Sequence, residues 1–154
     1  MSQPHDSAML GLAMRFKVQI DGLDLGHWAT CKGLHVTFKS DLVREGGNYE
    51  YAPILPDRIE YATVTLQRAM SPEASDRVQR WLRDFADNWM TGYGRFQDHP
   101  GATASISLCD ATGQVVASWT LRRVFPRSWR GPDLDGRSSA VAVETLDLVH
   151  EGFL

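Results

Sequence analysis

Residues 137–152 read Arg137-Ser-Ser-Ala-Val-Ala-Val-Glu-Thr-Leu-Asp-Leu-Val-His-Glu-Gly152. From Ala140 onward the side chains alternate between two faces. Ala140, Ala142, Glu144, Leu146 and Leu148 share one, and Val141, Val143, Thr145, Asp147 and Val149 share the other. A period of two with this many β-branched residues gives a strand. Both faces are largely apolar, so the strand needs cover on both sides. The sequence stops shortly beyond it, so the expected cover is earlier strands or another subunit. The stretch therefore predicts a sheet built for packing.

Working outward, Trp129-Arg-Gly-Pro-Asp-Leu-Asp-Gly136 is a turn-rich lead into that strand. Far upstream, Met14, Phe16, Val18 and Ile20 alternate with Arg15, Lys17 and Gln19 as in a half-buried strand. Asp21-Gly22 is a hairpin turn signal, and Leu25 to Lys32 reads as the return strand. A second alternator runs from His35 to Arg44, with Val36, Phe38, Ser40 and Leu42 on one face and Thr37, Lys39, Asp41 and Val43 on the other. The segment from Glu45 to Arg58, with two glycines and two prolines, reads as a long loop. Its Tyr49, Tyr51, Ile54 and Leu55 call for something to pack against.

Tyr61 to Met70 reads as a further strand, and Ser71-Pro72 opens the single helix. Serine suits the N-cap, proline the first helical position, and Glu73 and Asp76 the positive end of the dipole. Val78, Trp81, Leu82, Phe85 and Trp89 then make one apolar stripe at helical spacing, which predicts a helix laid on a sheet. Strands over Thr103–Leu108 and Val115–Val124 follow, joined by the turn Asp110-Ala-Thr-Gly113. The reading gives a mainly β domain of seven or eight strands with one α-helix, joined mostly by hairpins. Residues 1–12 are expected to be a flexible N-terminal arm, leaving 13–154 as one domain.

The 154 residues suffice for a sizeable core, and 43% hydrophobic with 23% charged is ordinary for a globular domain. A net charge of −3 gives no electrostatic case for specific nucleic acid binding. No apolar run approaches a membrane span, so no stable membrane association and a cytoplasmic site of assembly are expected. Cys31 and Cys109 lie far apart and read as buried reduced thiols. The five histidines fall in separate segments, and Asp133 and Asp135 sit in a turn sequence. No catalytic, metal or cofactor motif emerges, so no enzyme activity and no cofactor are expected. Arg122, Arg123, Arg127 and Arg130 form the densest basic cluster, expected to make salt bridges between subunits.

Several stretches in order carry a resemblance: Phe16-Lys-Val-Gln-Ile-Asp-Gly-Leu-Asp-Leu-Gly26, Cys31-Lys-Gly-Leu34, Val43-Arg-Glu-Gly-Gly-Asn48, Trp129-Arg-Gly-Pro-Asp-Leu134, and Glu144-Thr-Leu-Asp-Leu-Val-His-Glu-Gly152. From about Met14 onward the chain resembles the tail-tube proteins of contractile phages and extracellular contractile injection systems. The resemblance implies an antiparallel β-sandwich or barrel-like tail-tube domain with a flanking helix. It implies six copies in a ring and rings stacked into a hollow inner tube within a sheath. The implied partners are further copies of the chain, sheath, baseplate hub or spike, terminator proteins, and cargo in the lumen. The implied setting is a phage tail or a released phage tail-like particle.

By position, the resemblance assigns the contact between subunits or rings to the loop carrying Arg44, Glu45, Gly46, Gly47, Asn48, Tyr49, Tyr51, Leu55 and Arg58. Thr37, Lys39 and Asp41 are candidates to face the lumen. Asn88 to His99 is longer and more aromatic than the resemblance leads one to expect, which keeps a tube initiator, adaptor or terminator of the same fold as an alternative. A further alternative is a small-molecule-binding β-barrel or split-barrel enzyme, which would require an apolar cavity with convergent polar groups.

Overall fold

The computed structural model describes residues 14–91, 100–133, 136–137 and 141–154. The expected arm at residues 1–12 and the aromatic stretch 92–99 lie outside the described residues. The elements run β1 (Arg15–Ile20), β2 (Leu23–Trp28), β3 (Thr30–Lys32), β4 (Val36–Leu42), β5 (Ile54–Tyr61), β6 (Val64–Ala69), α1 (Pro72–Thr91), β7 (Ala102–Cys109), β8 (Val115–Arg130) and β9 (Val143–Val149).

Seven strands form one antiparallel sheet in the order β2-β1-β7-β8-β9-β6-β3. The strands at its two ends, β2 and β3, are consecutive in the chain with only Ala29 between them. The Ala29 N–H donates to the Gln67 carbonyl at 3.1 Å, so the sheet curls until its ends meet. This is barrel closure by one bent strand: Leu25 to Lys32, expected as a single run, breaks because its halves pair with different neighbours. β8 turns the opposite corner. Residues up to Val124 pair with β7 and those from Phe125 pair with β9. Arg123 takes a φ of 49° at that bend. Pro126 lies next to a register shift, where a missing N–H is tolerated, so the strand runs through it.

The alternation of β1 is kept, with Val18 and Ile20 fully buried, and Asp21-Gly22 makes the β1–β2 turn with both residues at positive φ. The core also holds Leu25, Trp28, Val64, Leu66, Ile106, Leu121, Leu146 and Leu148. On β9 one face is wholly buried, while Val143, Thr145, Asp147 and Val149 opposite are half-buried. The expectation of two covered faces therefore holds fully for only one. Glu144 lies on that buried face.

Helix α1 starts at Pro72 as expected, and the Ser71 N–H donates to the Ser75 hydroxyl at 3.2 Å. Val78, Trp81 and Phe85 bury their side chains, with Phe85 edge-on to Phe125 of β8 at 5.7 Å. Trp89, expected in the same stripe, is about half exposed at 47%. The expected strand from Tyr61 to Met70 divides at Ala62–Thr63, because Tyr61 belongs to β5 and Val64–Ala69 to β6. β4 and β5 form a separate two-stranded sheet projecting from the barrel.

Candidate assembly interface

The β4–β5 hairpin is where sequence and environment disagree most. Its register pairs Val36 with Tyr61, Thr37 with Glu60 and Phe38 with Ile59. After a shift it pairs Ser40 with Pro56, Asp41 with Leu55 and Leu42 with Ile54. Cross-strand partners share a face. One face is therefore Val36, Phe38, Ser40, Leu42, Ile54, Pro56, Ile59 and Tyr61. The other carries Thr37, Lys39, Asp41, Leu55 and Glu60.

On the first face Phe38 is 65% exposed, Leu42 69%, Ile54 66% and Ile59 51%. A two-stranded hairpin is marginal in water even without such a burden. An exposed apolar face of this kind is the signature of a surface that another molecule covers. On the opposite face Lys39 Nζ lies 3.7 Å from Glu60 Oε2, and Arg58 Nε 3.1 Å from Glu60 Oε1. These exposed pairs contribute at most about 1 kcal/mol each and serve to keep the face polar.

The loop is shorter than the sequence suggests. Ile54 to Arg58 belong to β5, and only residues 43–53 are irregular. Pro56 was the misleading signal, since it sits at the register shift where no ladder donor is needed. The Val43 N–H donates to the Pro53 carbonyl at 2.9 Å and closes the loop's base. Asn48 Oδ1 accepts from the N–H groups of Glu50 and Tyr51, at 3.2 and 3.3 Å. Gly47, with a φ of 96°, supplies the left-handed residue of the turn. Arg44, Glu45, Gly46, Gly47, Tyr49 and Tyr51 are exposed, and Asn48 is half-buried. Leu55 and Arg58 are likewise exposed, on the β5 strand itself.

The sequence assigns contact to the loop, and the structure adds the exposed Phe38, Leu42, Ile54 and Ile59 of the hairpin as further candidates. The alternation of Val36, Phe38 and Leu42 was a usable signal, but alternation alone does not tell which face the protein's own core covers.

The hairpin's base is tightly held. Gly33, at a φ of 92°, passes so close to Thr63 that an added Cβ would lie 1.9 Å from its carbonyl oxygen. The Ala62 N–H donates to the His35 carbonyl at 3.1 Å, and Arg127 Nη1 to Thr63 Oγ1 at the same distance. The basic cluster is engaged within the chain as well. Arg123 pairs with Glu151 at 2.7 Å, and Arg122 Nη1 donates to the Leu154 carbonyl at 2.6 Å.

An open cavity of about 930 Å³ lies beside His27, Trp28, Arg68, Cys109 and Asp110. Two of its charged groups are already committed: Arg68 to Glu144, and Asp110 to the N–H groups of Thr112 and Gln114. Hydrogen bonds, led by that from the Thr112 hydroxyl, hold the Asp110 carboxyl below its ordinary value. Both cysteines are free, and burial pushes the half-buried Cys31 thiol up to about 11, which leaves it unreactive near neutrality. Among the described residues no cluster of three or more His, Cys, Asp or Glu side chains could hold a metal. No helix among them is long and apolar enough to cross a membrane.

Comparison with known proteins gives a family model described as T4-like virus tail tube protein gp19, matching residues 12–154. No curated protein matches the chain. Among solved structures, a chain of the PVC extracellular contractile injection system sheath-tube complex, in the extended state, superposes with a TM-score of 0.69 at 20% identity. That match covers 99% of this chain and 97% of the other. A chain of the PVC sheath/tube terminator gives 0.67 at 20% identity over 91% of each chain. A chain of the six-fold symmetrised anti-feeding prophage baseplate gives 0.64 at 22% identity, over 92% and 91%. At these identities the likeness establishes a shared fold.

Proposed function

The chain belongs to the T4-like virus tail tube protein gp19 family, and from that premise we propose that it is the repeating inner-tube subunit of a contractile injection apparatus or phage tail. Six copies form a ring, and rings stack around a central channel. The observation that carries this reading is the exposed apolar face of the β4–β5 arm, with Phe38, Leu42, Ile54 and Ile59 projecting beyond the barrel. Six-fold symmetry in a structure containing the same fold supports the ring.

In this arrangement the arm's apolar face packs on a neighbouring copy. The loop from Arg44 to Tyr51, with Leu55 and Arg58 beside it on β5, reaches the adjoining subunit or ring. Thr37, Lys39 and Asp41, on the polar face, line the channel and set how cargo passes. Sheath outside, a baseplate hub or spike at one end and a terminator at the other complete the set of partners. The work is mechanical: sheath contraction drives the tube, and contacts between rings carry the axial load.

Two variants test the assignment of faces. Phe38→Asp with Leu42→Asp leaves a folded barrel that no longer assembles, whereas Lys39→Glu assembles but changes cargo loading. Normal rings from the double variant would refute the packing face, and unchanged loading in Lys39→Glu would refute the lumen face. A terminator also carries this fold, so a protein that caps tubes of another subunit without stacking on itself would be assigned that role instead.

A further inference from the structure

Among the described residues the arm has no ladder to the barrel, since β4 and β5 pair there only with each other. Beyond the contacts at its base, the arm also meets the segment after β9. The Tyr61 ring, at the end of β5, packs against His150 at 5.3 Å and edge-on to Phe153 at 5.1 Å, and those two rings stand 6.0 Å apart. Gly152 lies beneath them, where a Cβ would come within 3.0 Å of the Tyr61 ring and 2.5 Å of Arg122 Nη2. The same segment is pinned to β8. The Arg122 N–H donates to the Gly152 carbonyl at 2.8 Å, and the Glu151 N–H to the Arg122 carbonyl at 2.9 Å. One short segment thus grips the barrel with its backbone and the arm with its rings.

We propose that His150–Phe153 is an acid-sensitive clasp that fixes the direction of the β4–β5 arm and loosens when His150 takes up a proton. His150 Nδ1 accepts the Gly152 N–H at 3.1 Å. A proton on that nitrogen removes the acceptor and sets two donors against each other. The groups facing the imidazole are the Tyr61 phenol from β5 and the Arg122 guanidinium from β8. The neighbouring Glu151 carboxylate is held by Arg123.

Burial lowers the affinity of His150 for a proton below its ordinary value, a backbone group of Ala62 opposes this, and the Arg122 charge adds to the lowering. The folded state therefore prefers the neutral ring. The clasp is fully formed above about pH 6.5 and weakens as pH falls through the lowered value. Its consequence for assembly, that acid loosens rings by freeing the arm, rests on the tube reading.

Hydrogen exchange on the dilute full chain tests the clasp, comparing arm peptides over residues 36–61 with barrel peptides over 64–69. Between about pH 7.5 and about pH 5.5, after correction for intrinsic exchange, the arm should lose about tenfold in protection while the barrel changes little. His150→Gln, which keeps a neutral acceptor, should remain protected at both values. Tyr61→Ala should loosen the arm already at the higher value. An arm whose protection does not change with pH, acid loosening that persists in His150→Gln, or an arm unaffected by Tyr61→Ala would each overturn the proposal. Because the measurement needs no ring, its failure leaves the tube reading standing, and an absence of rings leaves the clasp standing.

Discussion

Arg68 of β6 and Glu144 of β9 stand directly opposite each other in the antiparallel register, Nη2 to Oε1 at 3.2 Å, with 5% and 0% of their side chains exposed. The pair has further partners. Arg68 Nη1 donates to the carbonyls of Leu25 and His27, the guanidinium lies 3.9 Å from the centre of the Trp28 ring, and the Ser75 hydroxyl at the start of α1 donates to Glu144. Two sheet halves and the helix N-terminus thus meet at one ion pair. Burial is the largest influence on Arg68 and lowers its proton affinity, opposed by Glu144.

Removing either partner strands the other in the core. Arg68→Ala or Glu144→Ala should each cost about 3–5 kcal/mol in chemical denaturation. Replacing both with apolar residues of similar volume should cost much less. A double change that costs the sum of the two single losses would show that the pair is not coupled.

Gly33 stands where the arm's leading leg passes Thr63. Gly33→Ala puts a Cβ 1.9 Å from the Thr63 carbonyl oxygen at a φ of 92°. The backbone conformation alone costs about 1–3 kcal/mol, and the close approach adds to it. Thermal melts should show a clear fall in Tm, and an unchanged Tm would mean that the crossing yields freely.

Asp147 has a different sensitivity. Burial acts to raise its proton affinity, but hydrogen bonds from the Ser128 and Thr65 hydroxyls, at 2.6 and 2.7 Å, with the charges of Arg130 and Arg127, together lower it. A carboxyl with a depressed folded value stabilises the fold above its unfolded value, and that contribution is lost as pH falls through the folded one. Asp147→Asn should therefore be less stable than the parent above about pH 4, with the gap closing below it. A gap that stays constant into acid would contradict the assignment.

Much of the barrel was legible because local rules and tertiary demands coincide there. The alternation of β1, the Asp21-Gly22 turn and the Ser71-Pro72 helix start each depend on near neighbours in the chain. What escaped depends on distant partners. Glu144 looked like one polar residue on an apolar face until Arg68 was placed opposite it. Pro56 suggested a loop because its tolerance at a register shift depends on Ser40 across the hairpin. Phe38 and Leu42 followed the pattern of core residues, and only the fold shows that they stand exposed on the hairpin. The same holds for the loop residues Tyr49 and Tyr51: their apolar character was readable, and their exposure required the fold.

The central claim is that this chain assembles with itself through the β4–β5 arm. Negative-stain microscopy of the purified full chain at high concentration tests it most directly. The account predicts discrete six-fold rings or stacked tubes with a central channel, whereas a strictly monomeric species at every concentration would contradict it.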